Sequence, residues 1–251
     1  MKKLIPLLLF LIALPSWAQQ FDVEVIVFKR TVNPEQTVES WPDVLPKIDL
    51  ENAGNLSDSD FRAQKGVQIL PSSSYQLNGS VDKLNQHAGF KVLLHTAWRQ
   101  NGKGRLSAPA LHIQAGKDFS SSYNSDGTLK GSIQGTELLD GVSETSIPVP
   151  LYELDGKIQI YVDHYLYADV QMDVRAPSVR EIVLQVPLKL ESNQENDAAV
   201  QSGFMAEVEP TIQKQELLKS FRIIQKRRMK SSETHYLDHP LMGIIIQVRR
   251  V

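Results

Sequence analysis

The run R-I-I-Q-K-R-R-M-K-S-S-E-T-H-Y-L-D-H-P-L-M-G-I-I-I-Q-V-R-R-V, from Arg222 to Val251, decides how the chain is read. Two stretches with strand-like alternation flank a polar hinge at Asp238, His239 and Pro240, where proline fixes one backbone angle and biases its predecessor away from helix. The pattern predicts two antiparallel strands. Beyond the hinge, Met242, Ile244, Ile246 and Val248 recur at every second position, so they line one strand face and leave Gly243, Gln247 and Arg249 to the other. Before the hinge stand Lys226, Arg227, Arg228 and Lys230. The stretch holds seven Lys or Arg against Glu233 and Asp238, a local charge of +5. Alternation sends Arg227 to one face and Lys226, Arg228 and Lys230 to the other. So much charge in a strand marks either an edge guarded against aggregation or a ligand surface. His235, Tyr236 and His239 nearby favour the ligand, because guanidinium forks pair with carboxylates and aromatic rings pack on sugar faces.

Working outward, Val23 to Arg30 is largely apolar on both faces, as an interior strand should be, and is placed at the centre of the sheet. Residues 31–79 lack sustained periodicity, contain Pro34, Pro42, Pro46 and Pro71, and are acidic between Glu35 and Asp60. They read as a long loop excursion, with Trp41 as the residue that pins it to the domain. Ser80 can cap a helix from Val81 to Ala88 that Gly89 stops. Phe90 to Gln100 follows as a strand, and the order strand, helix, strand predicts a crossover like the start of a ferredoxin-like fold. Asn101 to Gly104 reads as a hairpin loop into a strand at Leu106 to Ala115. Residues 116–150 are a polar surface insertion with a turn at Asp126-Gly127. Three alternating runs come next, Lys157 to Asp163, His164 to Met172 and Arg180 to Leu190; residues 191–211 form another polar excursion, and Gln213 to Lys219 a helical turn. The fold class is therefore α+β, a predominantly antiparallel sheet of six or more strands with one short helix and long surface loops.

Lys2 and Lys3, the apolar run Leu4 to Leu14, and the small residues Ser16 and Ala18 fit a signal peptide of residues 1–18 cleaved before Gln19. The apolar run is about half the ~20 residues of a spanning helix. With no cysteine in the chain, there is neither a disulfide framework nor an acylation site. A soluble periplasmic domain of residues 19–251, without membrane insertion, is the expectation. Without residues 1–18 the chain holds 25 Lys plus Arg against 29 Asp plus Glu, a net charge of −4. The C-terminal stretch carries +5 of this and the rest −9, which speaks against nucleic acid as a partner and leaves one face attractive to anions.

R-R-M-K-S-S-E-T-H-Y-L-D-H-P-L-M-G resembles the C-terminal signature of the CsiV family, periplasmic peptidoglycan-binding proteins of gamma-proteobacteria that take part in cell-wall assembly. Three more stretches are similar to that family: F-D-V-E-V-I-V-F-K-R with the following E-S-W-P, F-K-V-L-L-H-T-A-W-R-Q, and G-K-I-Q-I-Y-V-D-H-Y-L-Y-A-D-V. The resemblance implies a non-catalytic role, with peptidoglycan and the outer-membrane lipoprotein activator of a class A penicillin-binding synthase as partners, and no cofactor. The candidate ligand-binding residues are Arg227, Arg228, His235, Tyr236, Asp238 and His239, together with Trp98.

Other chemistry finds less support. His235 and His239 have the spacing of a zinc helix, but Tyr236 stands where H-E-x-x-H carries its glutamate and Pro240 opposes a continuing helix. No metal site is expected. His95 and His164 fall in expected strands, and G-x-S-x-G and S-x-x-K are both missing. Paired carboxylates for glycoside cleavage carry no short motif, so a cell-wall hydrolase stands as the alternative, with Glu24 and Asp169 as nearest candidates. A purely structural partner protein is the third class. For the exported protein, intact-mass measurement is expected to give a chain that begins at Gln19; a mass that retains residues 1–18 overturns the cleavage.

Overall fold

The computed structural model describes residues 19–34, 37, 41–42, 45–131, 149–184 and 211–251. The expected signal peptide, the end of the Arg180–Leu190 run and most of the 191–211 excursion lie outside the described residues.

Among the described residues, ten strands form two five-stranded sheets. The first has the order β3(Val67–Ile69), β4(Phe90–Asn101), β1(Gln20–Arg30), β10(Met242–Arg250), β9(Thr234–His239). The second has the order β2(Ala53–Asn55), β5(Ala110–Asp118), β6(Tyr152–Asp163), β7(Tyr165–Leu184), β8(Thr211–Met229). All named pairs are antiparallel except β2 with β5. Period-two alternation explains the arrangement. Val23, Val25 and Val27 of β1, with Met242, Ile244, Ile246 and Val248 of β10, share one core with Leu154, Ile158 and Ile160 of β6, Val170 and Met172 of β7, and Phe221 and Ile223 of β8. Burying each such side chain stabilises the fold by about 1.5–3 kcal/mol.

The fold class is α+β and mostly antiparallel, as the alternation predicts, and β1 sits in the middle of its sheet. Several local expectations change. The strands are split between two sheets because only two stacked faces can bury inward residues on both sides of one core. β1 and β4 are antiparallel neighbours, whereas a crossover would make them parallel. The stretch Asn101 to Gly104 is not a hairpin loop: β4 and β5 belong to different sheets, and the chain passes between them through residues 102–109. Gln213 to Lys219 is strand, its positions paired with β7 from Ser178 to Ile182 and on through Pro177 and Ala176, so ladder bonds override the local helical pattern. Pro177 is tolerated in β7 because it lies past Val174, where pairing with β6 ends. His164 is not a strand residue; it takes φ 57° at the tight turn joining β6 to β7.

The excursion at 31–79 contains β2, β3, a 3-10 turn and α1(Ser59–Lys65), capped by Asp58, whose carboxylate accepts from the amides of Asp60 and Phe61, and closed by Gly66 at φ 71°. Trp41 packs edge-on to Phe221 at 5.5 Å and against His239 at 5.0 Å. Within 116–131, the Asp126-Gly127 turn closes a bridge from Tyr123 to Leu129 above a small second cluster of Phe119, Tyr123, Leu151 and Leu218. The remainder of that insertion, 132–148, lies outside the described residues.

The second helix, α2(Asn78–Gln86), starts earlier than Ser80. No side chain of its own caps it; the amides of Gln76 and Leu77 donate instead to Glu24 of β1, each at 2.8 Å. Glu24 is fully buried and also meets His95 Nε2 at 2.9 Å and Arg249 Nη1 at 2.8 Å. Burial pushes its carboxyl up, but the Gln76 amide, Arg249, His95 and the Leu77 amide together hold it below the usual carboxylate range. With the folded value below the ordinary 4.5, this stabilisation is present above pH 4.5 and is lost as pH falls through the folded value. Glu24→Gln is expected to cost about 3 kcal/mol near neutral pH. Thermal unfolding at neutral and acid pH checks this: the gap between the variant and the parent should narrow on acidification.

Candidate functional site

The outward positions of the second sheet fall in rows across β5 to β8. His112, Lys157, Gln171 and Ile224 make one row, Ala110, Gln159, Asp169 and Lys226 the next, and Tyr161, Tyr167 and Arg228 a third. Nothing in these rows belongs to the main core. Residues 45–52 cross this face as a strap. Arg222, held bidentate by Asp173 at 2.6 and 2.8 Å, reaches the Pro46 carbonyl at 2.6 Å. Lys157 donates to the Asp49 carbonyl, and the chain then enters β2 beside β5.

Beside the strap lies a cleft of about 260 Å³. Asp49 and Asn52 form one wall, Arg105 another, and Lys157, Gln159, Asp169 and Gln171 the floor. Arg105 pairs with Asp169 at 3.3 Å. Gln159 donates to the Arg105 and Ala108 carbonyls at 2.9 and 3.0 Å, so the floor fixes the loop that carries the arginine. Amide, carboxylate and guanidinium groups on one concave surface can hydrogen-bond a ligand rich in hydroxyls and amides.

The third row adjoins the cleft. Tyr161 and Tyr167 stack with ring centroids 5.3 Å apart and planes 24° apart. Lys226 Nζ sits 5.6 Å from the Tyr161 ring and 5.0 Å from that of Tyr167, while the Arg228 guanidinium lies 4.5 Å from the ring of the exposed Tyr165. The Tyr161 hydroxyl holds the Lys226 ammonium above its ordinary range, desolvation opposing this. That hydroxyl is buried without a well-aligned hydrogen bond among the described residues; its influence on Lys226 is one of proximity.

The residues expected to bind ligand are not brought together. Arg228 stands in the tyrosine row. Arg227 points to the opposite face of β8, shared with Phe221, Ile223 and Met229, although it is exposed at the rim. His235 and His239 share the inward face of β9 with the buried Leu237, and Tyr236 and Asp238 the outward face of the first sheet. There Arg30 donates to Tyr236 at 2.8 Å and pairs with Asp238, and Tyr236 lies parallel to Phe28 at 6.3 Å. A Cβ at Gly243 would stand 2.3 Å from the Phe28 ring and 2.8 Å from that of Tyr236, so only glycine lets both rings lie down here. Trp98 is fully buried, its Nε1 donating to Gln100 at 2.8 Å; Gln100 in turn donates to the Ile160 carbonyl at 2.8 Å and ties the sheets together. It is a core residue with no surface to offer a ligand. His239 accepts from the Leu241 amide at 3.3 Å within the hinge.

Glu24 and Asp169, the paired-carboxylate candidates, stand on the opposite outward faces of the two sheets. His95 contacts Glu24 and Tyr75, far in the fold from the β6–β7 turn that holds His164. Among the described residues no three His, Asp or Glu side chains gather in a way that could hold a metal ion, and no helix is long and apolar enough to cross a membrane. A second cavity of about 420 Å³ between Lys29–Pro34 and Val174–Ala176 has its cations committed. Lys29 pairs with Glu153, Arg30 with Asp238, and Arg175 with Asp155 at 3.1 Å.

Sequence reasoning placed Lys226 on one face with Arg228 but left it out of the candidate binding residues, and it passed over Tyr161, Tyr165, Tyr167 and Arg105. The tyrosines share a face because β6 and β7 pair Tyr161 with Tyr167 and Asp163 with Tyr165.

A family model described as "Peptidoglycan-binding protein, CsiV" matches residues 3–251. A search of curated proteins finds no match. Among solved structures, the chain is similar to the single-particle cryo-EM structure of the V. cholerae type IV competence pilus secretin PilQ, with 8% identity and a TM-score of 0.31, covering 100% of this chain and 65% of that one. The chain thus spans less than two thirds of the solved chain it matches, and a TM-score this low does not carry a shared fold.

Proposed function

The chain belongs to the CsiV family of peptidoglycan-binding proteins, and on that footing we propose that it holds the cell wall on the outward face of its second sheet. The observation that carries the reading is the row of ring-seated cations, Lys226 and Arg228, beside a polar cleft. Peptidoglycan offers what such a surface takes: hydroxyls and amides for Gln159, Gln171, Asn52 and Asp169, and negative charge for the cations. The role is binding without catalysis, by residues 19–251 acting as one domain in the periplasm. Of the residues first considered, Arg228 contributes to this surface, while Tyr236 and Asp238, already bonded to Arg30 on the first sheet, serve the fold.

A charge-assisted hydrogen bond contributes roughly 1.5–3 kcal/mol. Lys226→Ala combined with Arg228→Ala is therefore expected to weaken sedimentation with purified sacculi ten-fold or more at an unchanged thermal midpoint. Arg227→Ala should leave binding near that of the parent. Added salt should weaken binding too, because exposed charges are screened over about 8 Å at physiological ionic strength. A folded double variant that binds sacculi like the parent overturns the site.

The finer part of the proposal is support of a class A penicillin-binding synthase through its outer-membrane lipoprotein activator, a role that rests on the resemblance of the C-terminal signature. Pull-down of the purified lipoprotein by the purified chain, without sacculi present, is the expected result; no retention at micromolar concentrations sinks it.

A further inference from the structure

The geometry points to the carboxylates of the peptide stems, and not the sugar rings, as what the Lys226–Arg228 surface recognises. This rests on the peptidoglycan reading above and narrows it. An aromatic residue that stacks on a sugar needs a free ring face; Tyr161 has none, and the rings of Tyr167 and Tyr165 already have Lys226 and Arg228 seated over them. Tyr161 is 1% exposed and lies against Tyr167. Lys226 sits over both rings, and Arg228 over the ring of Tyr165. The rings act as pedestals: their negative faces hold the two cations in place without neutralising them.

The cations are also short of carboxylate partners. Asp169, opposite Lys226 in the ladder, is engaged by Arg105. Lys230, just past the end of β8, pairs with Glu233 at 3.2 Å. Neither Lys226 nor Arg228 forms an ion pair among the described residues. Two positions apart on one strand face, they are separated by about 7 Å along the strand. An extended peptide with acidic groups on successive residues can meet both, as a peptidoglycan stem does with the free carboxyl of a γ-linked glutamate and that of the following diamino acid. The glycan strand is largely uncharged and has nothing for two unpaired cations.

The test is competition for sacculus binding by the full chain, using three probes: peptide-free glycan chains released by amidase, the soluble stem tetrapeptide, and the same tetrapeptide with its carboxylates converted to amides. The unmodified tetrapeptide is expected to compete, and the other two are not. Tyr165→Phe with Tyr167→Phe keeps the pedestals and should bind as the parent does, whereas Tyr165→Leu with Tyr167→Leu should lose ten-fold or more. Competition by the glycan chains, or equal competition by the amidated peptide, overturns the inference and leaves peptidoglycan binding standing. Failure of the parent chain to bind sacculi at all overturns the peptidoglycan reading itself. The peptide comparison needs no variant, so a substitution that unfolds the chain does not blunt it.

Discussion

Two five-stranded sheets close on one core, and this constraint governs the rest of the molecule. β1 and β10 present Val, Ile and Met at every second position, and the same period in β6, β7 and β8 supplies the opposing face. Trp98 and Gln100 carry a hydrogen-bond relay through this interior to a carbonyl of β6, so the packing has a polar pin as well as apolar contact. With the inward faces spent on each other, whatever the protein does must be done on the two outward faces or along the edges.

The outward faces are treated differently. On the first sheet, Glu24 draws in the amides of Gln76 and Leu77, His95 and Arg249, so the segment leading into α2 lies against the face. Toward its other end, Phe28 lies parallel to Tyr236 and meets Phe90 edge-on, and Arg30 and Asp238 complete the surface. Among the described residues, the strap crosses the second sheet and the loop carrying Arg105 lies at its side. The rows on one side of that crossing keep their polar and charged groups in solvent, where the cleft and the ring-seated cations stand. A closed face and an open face thus arise from one alternation pattern, and the difference lies in what the long excursions lay over each.

Much of this was legible in the sequence. Two apolar faces in Val23 to Arg30 placed that strand at the middle of a sheet, alternation in Met242 to Val248 marked a strand with one apolar face, and Asp238 to Pro240 marked the turn between β9 and β10. Other features needed information the local sequence lacks. Glu24 stands 52 residues from Gln76 in the chain, so no local rule could show that it binds the segment leading into the helix. α1 was readable, with Asp58 at its start and Gly66 at its end, but the prolines around it obscured so short a helix. The basic run was read as one surface with the hinge that follows it. In fact β8 and β9 lie in different sheets, and the turn between them separates Arg228 from Tyr236. Sequence proximity misleads where a chain changes sheets, because the nearest residues in the chain then face different solvents.

The strap has a consequence of another kind. Two cations anchor it, Arg222 on the carbonyl of Pro46 and Lys157 on that of Asp49. Both grip main chain, which every residue type supplies. The frame of the cleft is thereby insulated from the identity of the side chains that decorate its wall. Mutational drift in residues 45–52 can change the chemistry of that wall without detaching it, whereas loss of one gripping cation on β6 or β8 would release it whatever the wall's composition.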